Sequence, residues 1–77
     1  METKKWTVRI YLAEDGDDTS AQAVLITRGG GRLDGLGRSH RDPADEAVPE
    51  IGDKLATSRA LTALAASLTA ITRHAIS

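Results

Sequence analysis

Apolar and polar residues alternate over residues 4–12. Trp6, Val8, Ile10 and Leu12 share one side, and Lys5, Thr7, Arg9 and Tyr11 share the other. Period two with β-branched residues predicts a half-buried strand. Glu14 to Asp18, with Gly16 inside, reads as a polar turn. A second strand is expected over 19–28, with Ala21, Ala23 and Leu25 on one face and Gln22, Val24 and Ile26 on the other. Both sets hold apolar residues, so periodicity leaves the inward face open. Gly29, Gly30 and Gly31 then supply a hairpin turn, because glycine reaches positive φ at little steric cost. A third strand is expected over 32–41. Gly35 and Gly37 share a face there, and paired strand glycines mark a close backbone approach. The pattern therefore sets Leu33, Gly35, Gly37 and Ser39 beneath a helix and turns Asp34, Leu36, Arg38 and His40 away.

Residues 42–52 form a connector with Pro43, Pro49 and several acidic side chains. From residue 53 to 76 the period becomes helical. Leu61, Leu64, Leu68, Ile71 and Ala75 step by three and four, which predicts one apolar stripe. Asp53 after Gly52 is the expected N-cap, and the many alanines add helix propensity and permit close packing. Ile51 and Leu55 fall off the stripe, suited to clamping the connector or to a subunit contact. The expected fold is α+β: a single domain over 1–77, a three-stranded antiparallel meander covered by one long C-terminal helix, β-β-β-α.

One helix covers one face of a sheet. The other face would carry Tyr11, Val24, Ile26 and Leu36 with arginines around them, a patch suited to self-association. Composition strengthens this expectation. A chain of 77 residues buries a modest fraction of its surface and is marginal unless something helps it. With no Cys, the chain has no disulfide, thiolate metal site or cysteine nucleophile, and His40 and His74 lie far apart. A homodimer is the remaining helper. Trp6 and Tyr11 are the sole aromatic residues, so the core must be aliphatic. No apolar run approaches membrane-spanning length and residues 1–6 show no signal-peptide pattern; a cytoplasmic protein without membrane contact is expected.

The residues give catalysis little footing. Ser39, His40 and Asp42 are nearly consecutive, and neighbouring strand side chains diverge. The triple glycine joins two strands and lacks phosphate-loop spacing, and the acidic turn lacks the spacing of a Ca²⁺ loop. No cofactor and no small-molecule substrate is indicated. The net charge of −1 excludes a general polycation. Locally, however, Arg28, Arg32, Arg38 and Arg41 belong to the second hairpin and its exit. They are the candidate contacts for RNA phosphates, with Tyr11 as the one aromatic available for stacking.

Three stretches carry a family resemblance: Lys5-Trp6-Thr7-Val8, Gly37-Arg38-Ser39-His40-Arg41-Asp42-Pro43-Ala44-Asp45, and Val48-Pro49-Glu50-Ile51-Gly52-Asp53-Lys54-Leu55-Ala56, extended by Ser58-Arg59-Ala60-Leu61. Together they resemble a small actinobacterial family of unknown function classed as dsRBD-like, which includes dormancy-associated mycobacterial proteins. The resemblance implies the same β-β-β-α fold and a likeness to ribosome hibernation-promoting factors. It implies a non-enzymatic binding protein, associated with the ribosome or its RNA in stress or dormancy. The alternative is a homodimeric protein-interaction module with no RNA contact. True double-stranded-RNA-binding domains carry a lysine cluster at the start of the last helix. Here that start is Gly52-Asp53-Lys54-Leu55, where an aspartate opposes phosphate.

Overall fold

The computed structural model describes the backbone of residues 1–76 and the side chains of residues 1–73. Strands β1 (Thr7–Asp15), β2 (Asp18–Ile26) and β3 (Arg32–His40) form an antiparallel sheet in the order β1-β2-β3, and helix α1 (Pro49–Ile76) follows. The β-β-β-α architecture is the expected one. Pairing sets the strand limits. Gly16, at φ 61°, opens a two-residue turn that lets the ladder run to Asp15 opposite Asp18, and at the far end Thr7 opposite Ile26 is the last pair. β1 is therefore displaced from the expected 4–12. Gly29 and Gly30, both at positive φ, turn the second hairpin, where the Thr27 amide donates to the Gly31 carbonyl at 2.9 Å.

The helix starts earlier than its cap signal suggested. Pro49 occupies the first turn, where its missing N–H is not needed, and the Ile51 amide donates to the Val48 carbonyl at 3.0 Å. Asp53 therefore lies within the helix and is not its N-cap.

The register resolves the ambiguous second strand. Three rows face α1: Val8–Leu25–Leu33, Ile10–Ala23–Gly35 and Leu12–Ala21–Gly37. In two of them side-chain size falls from β1 to β3. The sheet thus offers the helix a floor that slopes down toward β3, and Ala56 and Ala60 settle on the low side. A Cβ added to Gly35 would lie 2.2 Å from the Ala60 carbonyl oxygen, and one added to Gly37 would lie 2.2 Å from that of Ala56. Helix and strand backbones touch at both points.

This contact corrects the expected stripe. The buried helix positions are Ala56, Ala60 and Leu64, with Leu68 partly covered, whereas Leu61 and Ile71 are exposed. The close approach admits small residues, and Leu61 stands one residue, about 100°, around from Ala60. Ala75 lies outside the described side chains. The core, Ala21, Ala23, Leu25, Ala56, Ala60 and Leu64, contains no aromatic residue. Contrary to the expectation that no apolar run approaches membrane-spanning length, Pro49–Arg73 is long and apolar enough to cross a membrane by length and composition; this helix is docked on the sheet along its small-residue face.

The glycine contact makes a direct prediction. Gly37→Val should destabilise the fold by at least about 1–3 kcal/mol through overpacking, a loss of several degrees in Tm for a domain of this size. Thermal unfolding by circular dichroism measures it. An unchanged Tm would mean that α1 does not bear on β3 at this point.

Candidate interaction surface

Since α1 settles over β3 and β2, it leaves β1 uncovered. All nine β1 residues are exposed. Val8, Ile10 and Leu12 face the helix side without a helix above them, and the outer backbone edge of β1 has no neighbour in the sheet. Leu12 lines one side of an open groove between β1 and α1, with Lys54, Leu61 and Ala65 on the other. The total accessible surface is 6118 Å², against about 4500 Å² expected for a folded monomer of this mass. The radius of gyration is 15.3 Å, where about 11–12 Å is usual for this length. The excess surface follows from the bare strand, the extended residues before it and a helix longer than the sheet is tall.

The opposite face of the sheet holds the residues expected to self-associate. Tyr11, Ile26 and Leu36 are exposed there, Leu36 by 67%. Val24 lies on the same face but is only 4% exposed, walled in by the Arg9 and Asp34 positions on either side of it in the register. Gln22 Nε2 and Arg32 Nε donate to the two carboxylate oxygens of Asp34, at 2.8 Å and 3.0 Å. The Arg32 hydrogen bond, with help from Gln22, holds the Asp34 carboxyl below its ordinary pKa.

The four candidate arginines do not form one cluster. Arg32 and Arg38 share the outer face of β3, separated by about 20 Å of strand. Arg28 sits in the β2–β3 turn. Arg41 lies at the opposite end of the sheet, where its Nε donates to Asp17 at 2.9 Å and its Nη1 to the Asp45 carbonyl at 2.6 Å. Arg32 and Arg41 are thus engaged with carboxylates. Arg9 and Arg38 carry no side-chain ion pair among the described residues. The Arg38 carbonyl accepts from Arg59 Nη1 at 2.6 Å, which ties β3 to the helix.

The end of the sheet next to the connector is polar. Ser39 Oγ donates to the Gly52 carbonyl at 2.9 Å, beneath the first turns of α1, and His40 points to the other face, with Nδ1 2.6 Å from Asp18 Oδ1. Asp42 caps the Ala44 amide. Ser39, His40 and Asp42 therefore engage three different partners and are not brought together. Among the described residues, no group of three or more His, Asp or Glu side chains gathers as a metal site; His74 lies outside the described side chains.

Two groups at this end titrate abnormally. The hydrogen bond and charge of Asp18, helped by Asp17 and Asp42, raise the His40 pKa. Glu14, on the helix side of β1, faces Asp53; a hydrogen bond between the carboxyls, and then their repulsion when both are charged, raises the Glu14 pKa. Asp53 Oδ1 is buried without a hydrogen-bond donor, so a protonated Glu14 is a partner it otherwise lacks. The Glu14–Asp53 pair was not visible in the sequence: 39 positions separate the two, and only the docking of α1 on the sheet sets them face to face.

These features define a small open-edged β-β-β-α module with an exposed flanking strand. Over residues 4–77 the sequence matches the Rv2632c-like family, and the chain belongs to it. Rv2632c of Mycobacterium tuberculosis (strain ATCC 25618 / H37Rv), an uncharacterized protein, is 41% identical over 61 residues; the match takes in 79% of this chain and just under two thirds, 66%, of that one. Mb1767 of Mycobacterium bovis, also uncharacterized, is 41% identical over 71 residues, 92% of this chain and 74% of that protein. The crystal structure of Rv2632c superposes with a TM-score of 0.89 at 38% identity, covering 99% of this chain and 89% of that one.

Both raised pKa values act in the same direction on stability. Each group binds its proton more tightly when folded. The contribution is complete below the ordinary pKa, about 4.5 for Glu14 and 6.5 for His40, and is lost as pH rises through the raised value. Tm should therefore fall across each window. Glu14→Gln should flatten the acid window and raise Tm at pH 7 relative to the parent, and His40→Gln should flatten the window above 6.5. Thermal melts from pH 4 to 8 test both; a Glu14→Gln profile parallel to the parent would separate Glu14 from Asp53.

Proposed function

We propose that this protein acts by binding another protein chain, without catalysis, and that β1 is its contact strand. The observation that carries the reading is the exposure of the whole of β1, edge and apolar flank together, in a chain whose core is otherwise small. An unpaired edge offers a row of N–H and C=O groups to a further strand, and Val8, Ile10 and Leu12 offer the alternate side chains that make such pairing selective. A photo-crosslinking residue at Leu12 tests this in cells. Discrete adducts are expected that disappear when Ile10→Lys is added. If Leu12 gives none while the same probe at Leu36 does, the contact surface is the other face of the sheet.

A second reading, association with the ribosome or its RNA in stress or dormancy, is supported by Arg9, Arg38 and Tyr11, which face outward together with no carboxylate engaging either arginine among the described residues. Arg28, in the β2–β3 turn, adds a cation at the Arg9 end of the sheet. Arg32 and Arg41 would first have to leave Asp34 and Asp17. If RNA is the ligand, binding should weaken steeply with salt, and Arg38→Glu with Arg28→Glu should lower the salt slope by about two while leaving Tm within about 1 °C. A flat titration with ribosomal RNA at low salt would remove this reading and leave the protein-binding one intact.

A further inference from the structure

The geometry points to a second site, away from the apolar flank of β1: a cleft that takes a nucleoside polyphosphate, with the base on Trp6 and the phosphates among Lys4, Lys5, Arg9 and Arg28. The cleft lies at the open end of the β1–β2 ladder and has a volume of about 410 Å³, within the range of small-molecule sites. Thr7 and Ile26, the last pair of that ladder, line it. Lys4, Lys5 and Trp6 are consecutive, and strand alternation would divide them between two faces. β1 begins only at Thr7, so the segment before it is free of that alternation and all three line the same cleft.

Charge selects the ligand. The net charge of the chain is only −1, yet four of its 10 Lys and Arg residues line this cleft and none of its 11 Asp and Glu residues does. None of the four cations forms an ion pair among the described residues. Asp34 lies across Val24 from Arg9 in the register, but Arg32 and Gln22 engage both its oxygens. Cations held together without a counter-charge repel one another, and an anion of matching charge relieves that repulsion. Two or three phosphates supply about three to four negative charges near neutral pH, and guanidinium groups grip phosphate through paired hydrogen bonds. Thr3 and Thr7 add two hydroxyls to the lining, whereas Thr27 donates its own to the Gly31 carbonyl at 3.3 Å. A bare polyphosphate would leave the indole unused. Trp6 is the one Trp of the chain and is exposed beside the cations, and an aromatic face stacks any base. The site shares Arg9 and Arg28 with the RNA reading but requires no RNA.

The single Trp supplies the test. The full chain is titrated with ATP, free of divalent cations, while the fluorescence of Trp6 is followed. Saturable quenching at one ATP per chain is expected, and saturating ATP should raise Tm. AMP should bind at least about 10-fold more weakly and adenosine should not quench, because each loses phosphate charge. Inorganic tripolyphosphate should displace ATP and relieve the quenching, yet bind more weakly than ATP itself. Arg9→Gln with Arg28→Gln should raise the ATP Kd at least about 10-fold with the circular dichroism spectrum unchanged. Trp6→Leu, followed by calorimetry, should raise it about 5- to 100-fold. Lys54→Gln, which removes a charge at the other end of the sheet, should leave it unchanged. No binding of ATP overturns the site. Tripolyphosphate binding as tightly as ATP, or Trp6→Leu binding ATP as the parent does, overturns the base on Trp6. A short acidic peptide or single-stranded RNA binding at least about 10-fold more tightly than ATP overturns the free nucleotide as ligand, and neither result bears on crosslinking at Leu12.

Discussion

The structure depends on two places where backbone meets backbone. At Gly35 and Gly37 the strand has no side chain, and at Ala56 and Ala60 the helix has almost none, so α1 comes down directly onto β3. A helix packed on a sheet is normally held off by large side chains on both surfaces, and it then shields several strands. Here it sinks into the low side of a sloping floor. Ile10 and Leu12, at the high ends of the rows that finish at Gly35 and Gly37, stay outside its cover. The glycines that fix the helix therefore also determine which strand is left bare. Core packing and the exposed binding edge are two results of one steric choice.

The polar end of the molecule follows from the same docking. With α1 pressed on β3, the Gly52 carbonyl comes within reach of Ser39, and the Arg59 guanidinium within reach of the Arg38 carbonyl. Arg41 then bridges the first turn and the connector through Asp17 and Asp45. Each of these contacts joins the helix or connector to β3 or to the β1–β2 turn. Across the groove, α1 and β1 share an acid pair in place of an attractive contact. When both carboxyls are charged Glu14 and Asp53 repel, and electrostatics then adds nothing that would draw the helix across β1.

Much of this was legible in the sequence, for reasons that differ along the chain. The strands were visible because β-branched and polar residues alternate, and the burial of Gly35 and Gly37 because a strand with two glycines on one face needs something close above it. The helix stripe was misread because leucine spacing is a guide to burial only where the opposing surface accepts leucine. The glycine floor selected alanine instead and left Leu61 at the groove. The helix start was misplaced because Asp53 looks like a cap, while Pro49 carries a start signal of its own. The arginines of one hairpin looked clustered because they are close in sequence. Extended strands separate close sequence neighbours by more than 3 Å per residue, so Arg32 and Arg41 end at opposite ends of the sheet, each beside a carboxylate. The bareness of β1 could not be read locally at all, since its pattern is that of a covered strand and its exposure is decided by side-chain size on β3.

An exposed edge is a hazard that folded proteins usually blunt with proline, a bulge or an inward-pointing charge. β1 shows none of these in its central stretch. Its pairing with β2 runs one residue to one residue from Thr7 to Asp15, no proline interrupts it, and Val8, Ile10 and Leu12 leave its helix-side face uncharged until Glu14. The protective charges stand at the ends instead, Lys4 and Lys5 before the strand and Glu14 to Asp18 after its apolar part. Charges so placed do not forbid pairing; they restrict its direction and register. A parallel neighbour of the same sequence would bring lysine to lysine and acid to acid. In an antiparallel pairing, a slip of one residue would turn the apolar face to the wrong side. Indefinite stacking is also limited, because the other edge of the sheet is β3, whose outer face carries Arg32, Asp34 and Arg38 and which has little apolar side chain on its helix side beyond Leu33. An edge that is open in the middle, signed oppositely at its two ends and backed by a dissimilar second edge suits one closed contact and disfavours a fibre.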